Sequence, residues 1–315
     1  MSVLWSSIFF VGGLALVVFF AERLVEGTVG TSLQFGVSAF LISVIFIGFD
    51  PENLAVGAMA SYDGIAGIAL GTILGAAMVA IALAFGITAL FAPMRFAQVP
   101  RRVLLVPVGA VLLLGGLMQD GLLSRFDGVI LLMAFIASIA YLVWLGRRGL
   151  RIRATGEVAE SLDEAEELTP MRSATLLIVS LAAILIGSEL LVRGAETLIG
   201  AMGVTDTVFG MTALALLVST EELARELPAA LRGRPDITVG NVVGSVLAFF
   251  LCNAGIIALV RPVPVSPRVL HFFLPMCIGT VAVVALFMLR HHVPRWAGGV
   301  LVALYGAFFI GAYLI

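Results

Sequence analysis

Lysine is absent from this chain: all 18 basic residues are arginine, set against 20 acidic residues and a formal net charge of −2. Proteins that hold nucleic acid carry strongly basic faces, so nucleic acid is not an expected partner. Charge of either sign is scarce, at 12% of residues against about 25% in an ordinary soluble domain. Cysteine is nearly missing too. Cys252 and Cys277 both lie in apolar runs, with no Cys-x-x-Cys pair and no Cys/His cluster, so they read as small core residues and not as a disulfide or metal pair. There is no glycine-rich phosphate loop, no nucleophile motif and no redox motif. Those absences argue against ATP-driven transport by this chain, against an enzyme and against any bound cofactor. Met1–Phe20 lacks a basic start and a small-residue cleavage site, and reads as a first membrane helix and not as a removed signal.

What remains is hydrophobic: 61% of residues, with a mean hydropathy of +1.14. Spans of about 20 apolar residues cross a bilayer. Ten such spans are expected, near 3–24, 36–61, 66–92, 103–119, 127–146, 173–192, 205–231, 236–260, 268–289 and 296–314. The fold class is thus an all-α polytopic membrane protein. The long polar insertion, Arg147–Arg172, separates residues 1–146 from 173–315, five spans on each side, and reads as a connecting loop over 147–172. With the N-terminus outside, thirteen arginines fall in inner segments (Arg23, Arg95, Arg101, Arg102, Arg147, Arg148, Arg151, Arg153, Arg172, Arg232, Arg234, Arg290 and Arg295) and four in outer ones (Arg125, Arg193, Arg261 and Arg268). Positive charge stays inside, so both termini are expected outside the cell membrane and the 147–172 loop in the cytoplasm.

The halves resemble each other. Ala21-Glu22-Arg23-Leu24-Val25-Glu26-Gly27 parallels Ser188-Glu189-Leu190-Leu191-Val192-Arg193-Gly194, and Gly71-Thr72-Ile73-Leu74-Gly75 parallels Gly240-Asn241-Val242-Val243-Gly244. Five spans is an odd number, so the second copy enters the membrane upside down. Inverted-repeat transporters place the substrate near the midplane, where interrupted helices of the two halves meet.

Two polar breaks supply such helices: Gly48-Phe49-Asp50-Pro51-Glu52-Asn53 in the second span, and Ser219-Thr220-Glu221-Glu222 in the seventh. A carboxylate at bilayer depth costs about 2.5–3.5 kcal/mol on insertion scales, so it needs a cavity, a partner or a cation. Pro51 removes a backbone donor and predicts a kink near Asp50–Glu52. Carboxylates and freed carbonyls make an oxygen-rich pocket that suits a hard cation. Glu52 and Glu222 are the leading candidates, assisted by Asp50, Ser219 and Ser245. Arg225 and Glu226 share a helical face with Glu222. Arg225 either acts as a fixed counter-ion or snorkels to the inner surface. Asn253 either joins the ion site or makes a helix–helix hydrogen bond. Glu22, Glu26, Glu189 and Glu196 read as groups that pair with Arg23 and Arg193.

These segments resemble the alpha repeats of the sodium/calcium exchanger family, prokaryotic-type, within the calcium/cation antiporter superfamily. The family pattern runs G-T-S-x-P-E and then G-N-x-x-G-S-N; Glu222 and Gly240-Asn241-Val242-Val243-Gly244-Ser245 match it in the second half. The resemblance implies a secondary antiporter that exchanges Ca²⁺ for Na⁺ or H⁺ by alternating access, with inorganic cations as its partners in the bilayer. It implies that spans two, three, seven and eight hold the ions while spans one and six move against them. The repeats are divergent. Phe249, Ala76 and Ala80 stand where coordinating residues are expected, and the first copy is about two residues shorter between its landmarks. A different class stays open: a membrane ion sensor or assembly partner that keeps the fold without transporting.

Overall fold

A computed structural model of the protein describes residues 2–35, 50–95, 101–147, 169–231 and 235–314. Its helices are α1 (Val3–Gln34), α2 (Pro51–Asp63), α3 (Ala66–Phe91), α4 (Arg101–Leu117), α5 (Arg125–Arg147), α6 (Pro170–Met202), α7 (Asp206–Val218), α8 (Thr220–Leu231), α9 (235–260), α10 (Val269–Leu289) and α11 (Arg295–Leu314). The chain is an all-α membrane protein of ten spans in two inverted five-helix repeats. Among the described residues, α7 and α8 together make one span, and α2 is the second part of another. The first part of that span, 36–49, lies outside the described residues, as does most of the expected 147–172 loop.

Both long outer helices exceed their expected bounds. α1 runs on past residue 24 to Gln34, and α6 extends from Pro170 to Met202 where 173–192 was expected. The apolar-window criterion stops at charged residues, but a helix does not. Arg23 donates to the Phe19 carbonyl at 2.8 Å, and its guanidinium lies 3.7 Å over the Phe19 ring. Arg193 pairs with Glu189 one turn back. Both arginines therefore lie inside helices and not in loops, which leaves twelve inner against three outer. The helix ends are set by caps. Thr169 Oγ1 accepts from Arg172 N, Pro170 sits where a missing N–H costs nothing, and Gly203 closes α6 at φ +68°.

α1 and α6 pack antiparallel along their length. A Cβ on Gly27 would strike the Leu177 backbone, and one on Gly194 would strike the Phe10 backbone. The two contacts are the same contact repeated: adding 167 to Gly27 and Phe10 gives Gly194 and Leu177.

The inverted relation is sharpest in the short strands. β1 (Met94–Arg95) pairs antiparallel with β4 (His292–Val293), and β2 (Leu122–Leu123) pairs with β3 (Val263–Pro264). β1 precedes α4 and β2 follows it, so the ladders cap opposite ends of the bundle. Adding 169 residues turns β1 into β3, and adding 170 turns β2 into β4, so the repeat exchanges the two ends. A stretch of wide, π-type turns at Val79–Ala84 likewise recurs 169 residues on, at Ala248–Asn253.

Burial separates a centre from a periphery. In the most apolar windows of α3 and α9, 94% and 83% of residues are buried; in those of α1 and α6 only 22% and 33% are. α3 crosses α7 with backbones nearly touching: Gly71 faces the Gly210 backbone, where a Cβ has no room. Gly67 N donates to Asp206 Oδ2 at 2.9 Å beside that crossing.

Candidate cation site

Two helix breaks from opposite repeats meet inside this centre. On one side α2 begins at Pro51. Asp50 is extended (φ −133°, ψ 90°) and caps the new helix, its Oδ1 accepting from Asn53 N at 2.8 Å. The expected kink is therefore a full helix start: proline at the first helical position forfeits a donor that would have no partner there anyway. Gly48 and Phe49 lie outside the described residues. On the other side α7 ends at Ser219 (φ −102°, ψ 19°) and α8 starts directly after it. The seventh span is thus two helices where one over 205–231 was expected.

Asn53 joins the breaks. Its Nδ2 donates to Asp50 Oδ2 at 2.8 Å and to Ser219 Oγ at 2.9 Å, across 166 residues of sequence. One turn into α8, Glu222 accepts from Asn241 Nδ2 (2.8 Å, on Oε2) and from Ser245 Oγ (3.4 Å, on Oε1). Asn241 Nδ2 also donates to Glu226 Oε1 at 3.1 Å. Asp50, Asn53, Ser219, Glu222, Glu226, Asn241 and Ser245 are all buried.

Of the residues expected from sequence, Asp50, Ser219, Glu222 and Ser245 thus fall into hydrogen-bonded groups at the breaks. Glu52 is fully buried in the first turn of α2, where its negative charge suits the positive end of the helix. Asn253 is fully buried in α9, and neither of its amide atoms has a hydrogen-bond partner among the described residues. It lies one turn before Ile257, whose side chain packs on Gly57 of α2. Arg225 belongs to α8, but its side chain, like that of Glu221, lies outside the described residues. Phe249 is fully buried in the core, and Ala76 and Ala80 are buried as well.

The sequence names Asn53, Glu226 and Asn241 within its breaks and motifs but gives none of them a place among the candidate ligands. The signal for Asn53 was the spacing of the repeat. Matching Pro51-Glu52 to Glu221-Glu222 uses an offset of 170, whereas Gly71/Gly240 and the wide turns use 169. The offset of 169 also holds in space. Gly57 abuts the Thr72 hydroxyl, just as Glu226 meets Asn241, fifteen residues on in each copy. By that register Asn53 takes the place of Glu222, Thr72 that of Asn241, and Ala76 that of Ser245.

The chain matches the sodium/calcium exchanger protein family over residues 5–144 and 172–314. It belongs to the sodium/calcium exchanger family. A putative antiporter CaxA of Alkalimonas amylolytica is 30% identical over 261 residues, covering 82% of this chain and 81% of that one. The uncharacterized membrane protein MJ0091 of Methanocaldococcus jannaschii is 30% identical over 299 residues, 94% of each. Among solved structures, the sodium-calcium exchanger NCX_Mj soaked with 2.5 mM Na⁺ and 1 mM Sr²⁺ superposes with a TM-score of 0.62 at 27% identity, covering 100% of this chain and 99% of that one. The same exchanger soaked with 100 mM Na⁺ and 10 mM Sr²⁺ gives 0.60 at 27% identity, with 96% and 97% covered. This exchanger-family chain is accordingly a multi-pass membrane transporter of the cation-antiporter kind, and not an enzyme.

Proposed function

We propose that this exchanger moves Ca²⁺, or another hard cation, against Na⁺ or H⁺ by alternating access, and that it binds its ions between the breaks at Asp50 and Ser219. The observation that carries the reading is Glu222. It is a carboxylate at membrane depth, buried at a helix break, with Asn241 and Ser245 donating to it from α9, and with Ser219 three residues before it held by Asn53 of the other repeat. Among the described residues, no three His, Cys, Asp or Glu side chains are gathered closely enough to hold a metal. A bound cation therefore draws on neutral oxygens as well as carboxylates, which is how hard cations are held by oxygen cages. Glu52, Glu222 and Asp50 supply charge; Ser219, Ser245 and Asn253 supply neutral oxygen.

The rest of the fold suits alternating access. α1 and α6 grip each other tightly and cover a densely buried centre only thinly, so they can move as a pair while the site stays fixed. Residues 1–146 and 173–315 form the two repeats, joined by the cytoplasmic segment 147–172, in the cell membrane with both termini outside.

The test is gradient-driven cation uptake in liposomes. Changing both Glu52→Gln and Glu222→Gln is expected to remove ion-dependent flux; undiminished exchange would sink the assignment. A pH gradient alone and a Na⁺ gradient alone then separate proton from sodium coupling. One observation favours a second reading. Phe249 fills, fully buried, a position where the family resemblance implies a ligand. If Ca²⁺ or Na⁺ binds while flux stays at background, the chain is an ion sensor that kept the exchanger fold.

A further inference from the structure

We infer that the side-chain oxygen of Asn53 is a cation ligand and that it stands in the first repeat where Glu222 stands in the second. The inference rests on the location of the site proposed above and adds a residue to it. Asn53 is completely buried, at the first turn of α2. Its amide cannot be turned either way at will. The nitrogen faces two oxygens, Asp50 Oδ2 at 2.8 Å and Ser219 Oγ at 2.9 Å. Reversing the amide would set its carbonyl against a carboxylate that already accepts from the Asn53 backbone N–H. Both amide hydrogens are thereby committed, one to each helix break, and the oxygen Oδ1 is left. It is buried and no donor among the described residues reaches it. A buried acceptor without a donor costs free energy that a metal cation, which needs acceptors only, recovers.

The register points the same way. With the repeats superposed at 169 residues, Asn53 falls on Glu222, and their neighbours correspond: Gly57 on Glu226, Thr72 on Asn241. A carboxylate in one repeat thus faces an amide in the other. The neutral oxygen keeps a ligand while removing one negative charge. Ligand charge count tunes how tightly an oxygen cage holds Ca²⁺, and each ligand charge attracts a divalent ion twice as strongly as a monovalent one at the same distance. Asn53 is therefore a residue that sets ion selectivity as well as affinity.

Binding is measured by calorimetry on the purified full-length protein with NaCl alone and CaCl₂ alone, and selectivity as the ratio of the two affinities. Asn53→Ala, which removes the oxygen, is expected to weaken cation binding by about tenfold or more, the range seen when a metal site loses a supporting group. Asn53→Asp, the same size with an added charge, is expected to shift the ratio toward Ca²⁺. Should Asn53→Ala fail to fold, the ratio measured on Asn53→Asp decides alone. Wild-type affinity in Asn53→Ala, or an unchanged ratio in Asn53→Asp, overturns the inference, because a merely structural amide would not move selectivity. Glu222→Gln separates the two levels of the argument. If it abolishes binding while the Asn53 variants behave as wild type, only the Asn53 assignment falls; if it too binds normally, the site itself lies elsewhere.

Discussion

At the scale of single residues, Asn241 holds two carboxylates with one nitrogen. Its Nδ2 lies 2.8 Å from Glu222 and 3.1 Å from Glu226, and all three side chains are buried. Replacing it with leucine of similar size removes both charge-assisted donors at once. Asn241→Leu is expected to destabilise the protein by about 2–4 kcal/mol, the usual cost of stranding buried charged groups. Thermal melting in detergent should show a clear drop, and cation flux should fall with it; a variant that melts and transports as wild type would remove Asn241 from the site. Glu222 and Ser245 were legible in the sequence because they fall on a repeated pattern, and Asp50 because a carboxylate before a proline is conspicuous in an apolar run. Asn53 was not legible. An amide beside two acids draws no attention on composition, and the role proposed for it depends on a one-residue shift between the copies that the Gly71/Gly240 spacing hints at and the packing of Gly57 on Thr72 makes plain. Glu226, which shares a helical face with Glu222, accepts from an amide on α9 through its Oε1.

At the scale of helices, glycine decides how close two elements come. Gly71 of α3 and Gly210 of α7 meet backbone to backbone, and a methyl group on Gly71 would collide with peptide atoms that cannot rotate aside. Gly109, in the middle of α4, has nothing within 4 Å of the position its Cβ would take. The same chemical change should therefore act in opposite directions. Gly71→Ala should push α3 from α7 and lower the melting temperature by several degrees, in line with about 1–3 kcal/mol for overpacking. Gly109→Ala should leave it unchanged or raise it, since alanine is favoured over glycine in a helix by about 0.5–1 kcal/mol. Equal losses in the two variants would mean that the crossing is not tightly constrained. Sequence reasoning matched Gly71 and Gly75 to Gly240 and Gly244 of the other repeat, and it placed most spans to within a few residues. It cut α1 and α6 short because charged residues interrupt the hydropathy window, while the arginines in fact fold back onto a carbonyl and ring (Arg23) or a carboxylate (Arg193) of the same helix. It drew the seventh span as one over 205–231 with a polar break at Ser219–Glu222, and the structure makes that break a change of helix, Ser219 leaving helical geometry between α7 and α8.

At the scale of the molecule, the inverted repeat and the arginine distribution are the grounds for the proposed orientation. Ten spans return the C-terminus to the side of the N-terminus, and five spans put the 147–172 segment on the other. Even with Arg23 and Arg193 removed from the count, the span ends and connecting segments expected on the 147–172 side hold twelve arginines against three on the other. Arginine retained on one side is the ground for the proposal that the 147–172 side is the cytoplasmic one. Tyr62, exposed near the far end of α2, then faces outward, next to Arg261, whose Nη1 donates to the Tyr62 carbonyl at 3.2 Å. Single cysteines report the sidedness: Arg153→Cys for the connecting segment and Tyr62→Cys for the outer end, each in a background with Cys252→Ser. Cys277 is wholly buried and shielded from a polar reagent. A membrane-impermeant maleimide should label Tyr62→Cys in sealed right-side-out vesicles and Arg153→Cys only in inverted ones. The reverse pattern would flip the whole assembly, and with it the side that the proposed Asp50–Ser219 site faces first. Because the two repeats are related by an in-plane axis, such a flip leaves the site itself nearly unchanged. Only the unequal pair proposed as ligands, amide in one repeat and carboxylate in the other, would then distinguish the two faces.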